Sequence, residues 1–209
     1  MQLSPRSQEK CAHAQPGCGR PASGAASTTL GEVIPETVVL LNDRREAIGT
    51  QDKAVVHTEA TPLHLAFSLY LFDGAGRVLL TRRALTKKTW PGVWTNTCCG
   101  HPAPGERPED AVRRRLPQEL GIDVGDLTCI LPDFSYTATD ASGIVENEVC
   151  PVFAGLLHPD AQLLPNSGEV MDWAWTPWEQ LVAAVSATPF VFSPWAVAQV
   201  REHPGHPRS

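Results

Sequence analysis

The segment from Gly100 to Ile122 constrains this chain more than any other, because it fixes one helix and both of its ends. Pro108 fits a first helical turn, where its missing N–H leaves no hydrogen bond unmade, and Gly121 supplies the stop. The signals predict a helix over residues 107–120. Pro117 inside it removes a helix hydrogen bond and predicts a kink or a shortened last turn. Just upstream, Thr95-Asn96-Thr97-Cys98-Cys99-Gly100-His101-Pro102 sets a thiol two residues from an imidazole. Downstream, Glu146 and Glu148 form an acidic pair whose spacing of two puts both on one face of a strand. A thiol, an imidazole and two carboxylates suit metal-supported proton transfer better than hydrolysis.

Around this segment the chain reads as strands and helices without strict alternation. Residues 38–41 form a short apolar strand ended by an Asn42-Asp43 turn, and residues 64–72 a buried strand. Asp73-Gly74-Ala75-Gly76 makes a hairpin turn into a strand at 78–80. Pro91 and Gly92 exclude a helix over 90–97. Three further strands are expected at 128–136, 145–156 and 171–176, and two helices at 178–185 and 193–201. The fold class is α/β (α+β): a mixed β-sheet sandwiched between helices, in a single domain over residues 34–203.

Residues 1–33 are rich in Ser, Pro, Gly, Ala and Gln and bury too little apolar surface to offset chain entropy, so a disordered tail is expected. Cys11, His13 and Cys18 fall in it, and their spacing matches the usual zinc patterns poorly. Residues 204–209 are expected to fray.

A net charge of −6 argues against nucleic acid as a partner but leaves room for a local basic pocket. No run approaches the ~20 apolar residues that a membrane helix needs, and residues 1–20 contain no apolar core of a secretory signal. Six cysteines without small-domain spacing read as thiols of a cytoplasmic protein rather than a disulfide framework.

Gly100, Glu106, Arg114, Leu116, Glu119, Gly121 and Ile122 fall in register with the frame G-x5-E-x7-R-E-U-x-E-E-x-G-U, where U is aliphatic. That frame resembles the Nudix family, whose paired glutamates hold the magnesium that activates water at a diphosphate. Here Arg115 and Gln118 replace two of those carboxylates. The resemblance therefore implies a Nudix fold whose hydrolytic reaction is weakened.

A closer resemblance rests on five blocks in order: residues 81–90 (TRRALTKKTW), 91–96 (PGVWTN), 99–102 (CGHP), 142–148 (SGIVENE) and 192–195 (FSPW). Together they resemble the type I isopentenyl-diphosphate isomerases, Nudix-fold enzymes that interconvert isopentenyl and dimethylallyl diphosphate. The resemblance implies one divalent ion held by His57, His64, His101, Glu146 and Glu148, a donor set suited to Mn²⁺, Zn²⁺ or Fe²⁺. It makes Cys99 one acid/base and Glu148, linked to Tyr136, the other, with Trp195 facing a cationic transition state. Lys53, Arg83, Lys87 and Arg115 become diphosphate partners. Glu119 becomes a ligand of a Mg²⁺ that bridges to the diphosphate, with the Cys99 carbonyl nearby.

The expected partner is thus a small diphosphate, with no nucleic acid and no membrane, and the chain a monomer or weak homo-oligomer. Cys98 is expected to pack, Trp90 and Trp94 to wall the pocket or fill the core, and Arg82, Lys88, Arg113 and Arg114 carry no clear assignment. A Nudix hydrolase and a non-catalytic binding module are the competing readings. Steady phosphate release without an allylic product would mark the first, and metal binding without exchange of alkene protons the second.

Overall fold

The computed structural model describes residues 36–207. The expected tail, with Cys11, His13 and Cys18, lies outside them. In chain order the elements are β1 (Thr37–Leu41), β2 (Ala47–Asp52), α1 (Lys53–Val56), β3 (His64–Leu65), β4 (Phe67–Phe72), β5 (Arg77–Arg83), β6 (Trp94–Thr95) and β7 (Cys98–Gly100). They continue with α2 (Pro108–Leu120), β8 (Val124–Leu131), β9 (Ser135–Thr139), β10 (Val145–Val149), β11 (Val152–Leu157) and β12 (Val170–Pro177). Helices α3 (Trp178–Ala187) and α4 (Pro194–Glu202) follow, separated by a 3-10 turn at Pro189–Val191.

The strands form two mixed sheets, ordered β2-β1-β3-β10-β9 and β12-β5-β4-β11-β8, with β6 on β5 and β7 on β4. The buried run expected as one strand over 64–72 divides at Ala66, and the run over 145–156 divides at Cys150-Pro151. Both breaks lie at the same place. β3 and β10 pair in parallel in the first sheet, and β4 and β11 pair in parallel in the second. The adjacent chains therefore cross together from one sheet to the other, joined by Ala66 N–H to Val149 O (2.9 Å) and Ser68 N–H to Pro151 O (3.1 Å). Pro151 has no N–H to continue the ladder. The expected strand over 128–136 divides likewise, β8 in one sheet and β9 in the other.

Strand β4 is buried along its whole length because the second sheet is covered on both faces. Alternate side chains explain it. Phe67, Leu69 and Leu71 join Val112, Leu116 and Leu120 of α2, while Tyr70 and Phe72 join Trp178, Leu181 and Trp195 of α3 and α4. That layer is the expected sheet between helices. The first sheet is an addition to it, and its outer strand β2 is exposed and lacks an apolar alternation, which hid it from the sequence.

Helix α2 runs through Pro117 to Leu120, so its last turn is not shortened, and Gly121 closes it with φ 67°, donating its N–H to Pro117 O (3.1 Å). A Cβ on Gly121 would also stand 2.7 Å from that of Leu164. Gly100 lets α2 approach β7 closely, since a Cβ there would meet the Phe67 ring at 3.0 Å and the Arg115 stem at 3.2 Å. Beyond α4, Trp178 Nε1 donates to Pro204 O (3.0 Å) and the His206 ring lies 4.9 Å from that of Phe72. These contacts involve residues 204 and 206 of the stretch expected to fray. No helix among the described residues is long and apolar enough to cross a membrane.

Candidate metal centre and active site

Two loops and one strand bring the imidazoles together. Asp52 caps α1 by accepting from Ala54 N–H (2.8 Å), and His57 is the residue on which that short helix ends. His64 opens β3, and His101 follows β7. The strand register places Glu148 opposite His64 on one side and Tyr136 on the other. Ligand atoms of His57, His64, His101 and Glu148 all lie within 4.8 Å of one another. Glu146 joins through His57, with Oε2 at 3.0 Å from Nε2. Glu148 Oε1 lies 3.4 Å from His64 Nε2 and 3.2 Å from His101 Nε2. Of the five expected ligands, four share one centre and the fifth adjoins it.

The donor set fits a divalent cation. His57 Nε2, His64 Nε2, His101 Nδ1 and Glu146 Oε2 are buried without a hydrogen-bond partner, an arrangement that costs about 1–3 kcal/mol per group unless something satisfies it. His64 Nδ1 donates to Pro62 O (2.9 Å), which leaves the Nε2 lone pair facing the centre. Burial alone would raise the Glu148 pKa, but the imidazoles of His101 and His64 beside it hold it well below the usual carboxylate range. Burial depresses His101. It would depress His64 as well, but Glu148 outweighs it and His64 is raised.

Cys99 lies on β7, paired with Ser68 of β4. Its Sγ donates to Asn96 Oδ1 (3.1 Å) and contacts Ser68 Oγ (3.4 Å). Asn96 is fully buried and its amide orientation is determined on both sides. Nδ2 donates to Leu69 O (3.1 Å) and Cys98 O (2.9 Å). Oδ1 accepts from Thr95 Oγ1 (2.8 Å) and Trp195 Nε1 (3.0 Å) besides the thiol. One amide oxygen therefore holds both the thiol and the indole. Trp195 is set at the start of α4 by Ser193, whose Oγ caps Ala196 N–H (3.4 Å) and meets Thr95 Oγ1 (2.8 Å). Around Trp195 stand the rings of Trp90 (5.5 Å) and Tyr136 (5.7 Å) and the Arg83 guanidinium (5.3 Å). Burial, followed by the Glu148 charge, pushes the Tyr136 hydroxyl well above its ordinary value. Cys98 packs on the opposite side, against α2, as expected.

Burial pushes the Cys99 thiol up to about 11, against the pull of the Ser68 hydroxyl, so at neutral pH it is a thiol rather than a thiolate. Iodoacetamide should therefore alkylate Cys99 at a rate that climbs about tenfold per pH unit from pH 7 to 10. Peptide mapping by mass spectrometry would follow it, and a plateau near neutrality would contradict the assignment.

The expected diphosphate cations are placed in one region but not as free groups. Arg83, Lys87, Cys99, Glu119 and Glu169 line a single cleft. Arg115 is buried, with Nη2 on Glu119 (2.5 Å) and Glu169 (3.3 Å), and Nη1 on Gln118 (2.9 Å) and Glu36 (3.5 Å). Burial would lower its pKa, but Glu119 and Glu169 outweigh it and it is raised. Lys87 pairs with Glu169, and Lys53 with Glu36 (2.7 Å). Arg83 donates through Nε and Nη2 to Thr89 O (2.8 Å to Nη2) and Trp90 O (3.1 Å to Nε). Glu36 and Glu169, which no spacing in the sequence marks, thus hold three of the four cations in place.

The cations without an assignment stabilise the frame. Arg114 binds Glu106 (2.8 Å) and His101 O (3.1 Å), and Arg113 binds Val124 O (2.7 Å). Arg82 donates to Gly92 O (2.9 Å) and Lys88 to Ala54 O (3.4 Å). Glu106 and Arg114 of the frame therefore anchor the loop that carries His101. Asn96, Ser68 and Thr89 also escaped the sequence reading. Asn96 and Thr89 sit inside motif blocks, but only their hydrogen bonds in the folded chain distinguish them from their neighbours.

Comparison with known proteins agrees with this geometry. Residues 62–196 match the NUDIX domain model. The chain is 55% identical to an isopentenyl-diphosphate Delta-isomerase of Kocuria rhizophila, covering 80% of this chain and 92% of the relative. It is 58% identical to the Mycolicibacterium vanbaalenii protein of the same name, covering 79% and 90%. Among solved structures, DR0079 of Deinococcus radiodurans has the same fold, with a TM-score of 0.61 at 21% identity over 80% of this chain and 98% of that one. With its NUDIX domain, its thiol and its histidine–carboxylate cluster, the chain belongs to the isopentenyl-diphosphate Delta-isomerase family, type I.

Proposed function

We propose that this protein interconverts isopentenyl and dimethylallyl diphosphate in isoprenoid biosynthesis, by adding a proton to one carbon of the allylic unit and removing one from another. The observation that carries the reading is the cleft in which a half-buried, protonated thiol and the cations Arg83 and Lys87 face the same space, beside the histidine–carboxylate centre. The relatives named above, more than half identical in sequence, are isomerases of this substrate by name.

In this reading Arg83, Lys87, Lys53 and Arg115 hold the diphosphate. Arg115 and Lys87 exchange part of their pairing with Glu36 and Glu169 for phosphate oxygens, which a planar guanidinium grips in pairs. Cys99 gives its proton to the terminal alkene carbon, and Glu148 takes one from the opposite face, giving a net 1,3-allylic shift. The intermediate charge is that of a tertiary carbocation, which the Trp195 ring attracts by about 0.5–2 kcal/mol. Trp90, Trp195 and Tyr136 exclude water that would trap it. A divalent ion such as Mn²⁺, Zn²⁺ or Fe²⁺ on His57, His64, His101, Glu146 and Glu148 would orient Glu148, and Mg²⁺ near Glu119 and the Cys99 carbonyl would neutralise diphosphate charge.

One chain supplies every group named, so a monomer suffices. The chemistry needs Cys99 as a thiol, which suits a cytoplasmic setting, and the four described cysteines are unpaired. Proton NMR of isopentenyl diphosphate with the enzyme should show dimethylallyl diphosphate accumulating without phosphate release. Phosphate release without the allylic product would instead identify a hydrolase.

A further inference from the structure

The turn after β5 contains a strained residue and, beside it, the buried Thr89 hydroxyl, which has no part in the reaction above. Trp90 has φ 41°, a left-handed conformation costly for a side chain of this size. The turn directs the carbonyls of Thr89 and Trp90 at Arg83. The Thr89 hydroxyl, itself buried, lies between Arg83 and the metal centre. Arg83 Nη2 donates to Thr89 Oγ1 (3.2 Å), and Thr89 Oγ1 donates to Glu146 Oε1 (2.6 Å). A hydroxyl has one hydrogen, and the guanidinium, which can only donate, already occupies one of its lone pairs. The hydrogen therefore points at Glu146.

We infer that Thr89 is a positioning residue that aims Glu146 at the metal. By occupying Oε1 it leaves Oε2 as the oxygen presented to the centre, where it is buried without a hydrogen-bond partner, 3.0 Å from His57 Nε2. The same hydroxyl joins the Arg83 side of the cleft to the metal side. This inference rests on the metal centre proposed above.

The test compares Mn²⁺ affinity of the metal-stripped wild-type chain, Thr89→Val and Thr89→Ser by competition with a fluorescent chelator. Thr89→Val keeps the shape but loses the hydroxyl and should bind Mn²⁺ about 10–100-fold more weakly, while Thr89→Ser stays within about threefold of wild type. Metal-stripped Thr89→Val should melt within about 10 °C of wild type, as the loss of one buried hydrogen bond allows, and the circular dichroism spectra of the three metal-stripped proteins should agree, separating ligand placement from folding. Wild-type affinity in Thr89→Val, or an equal loss in Thr89→Ser, would overturn the role of the hydroxyl. Failure of the wild-type chain to take up Mn²⁺ would instead overturn the metal centre, and the inference with it.

Discussion

Cys99→Ala should lower kcat by about 10³–10⁴-fold while isopentenyl diphosphate still binds. A loss of that size corresponds to about 4–5.5 kcal/mol of transition-state stabilisation. The thiol is the proposed proton source, and no other described acidic hydrogen occupies its place. Ser68 Oγ stands behind the sulfur and is bound by Gln199 Nε2 (2.9 Å), which Tyr70 OH in turn holds at Oε1 (3.0 Å). That network, and the bonds of Asn96 to Trp195 and Thr95, survive the substitution, so the fold and the aromatic walls remain. The diphosphate cations belong to other elements. Calorimetry should therefore show near-normal affinity beside a collapsed rate. A kcat within tenfold of wild type would remove Cys99 from the reaction.

Glu148→Gln should cause a loss of at least similar size, for two reasons at once. It removes the proposed proton acceptor, and it takes a charge from a centre where His64 and His101 share Glu148 Oε1. The two variants are distinguishable without turnover. Mn²⁺ should raise the melting temperature of Cys99→Ala as it does for wild type, by mass action on the folded state, and should do so far less for Glu148→Gln. Equal protection of both variants would show that Glu148 is not a ligand.

Much of this was legible in the chain because the features were local. Helix α2 carries its own start and stop, and the blocks around Trp90, Cys99, Glu146 and Trp195 are contiguous. What escaped depends on partners distant in sequence. The runs over 64–72 and 145–156 read as unbroken strands because burial is continuous across the point where both cross between sheets. The crossing matters for function, since His64 and Glu148 face each other just before it. Strand β2 has too little apolar pattern to be seen, and α1, whose end places His57, is only four residues long. Arg115 was expected to face phosphate, but it is also packed among Glu36, Glu119 and Glu169, two of which come from distant segments. Asn96 closes a motif block, but its role comes from receiving three donors on one oxygen, which no spacing in the sequence shows.

Proton exchange at the allylic unit should depend on the metal centre. Isopentenyl diphosphate incubated with the enzyme in D₂O should gain deuterium and yield labelled dimethylallyl diphosphate, and a strong chelator should stop both until Mn²⁺ and Mg²⁺ are restored. Release of phosphate with no deuterium in recovered substrate or product would contradict the account.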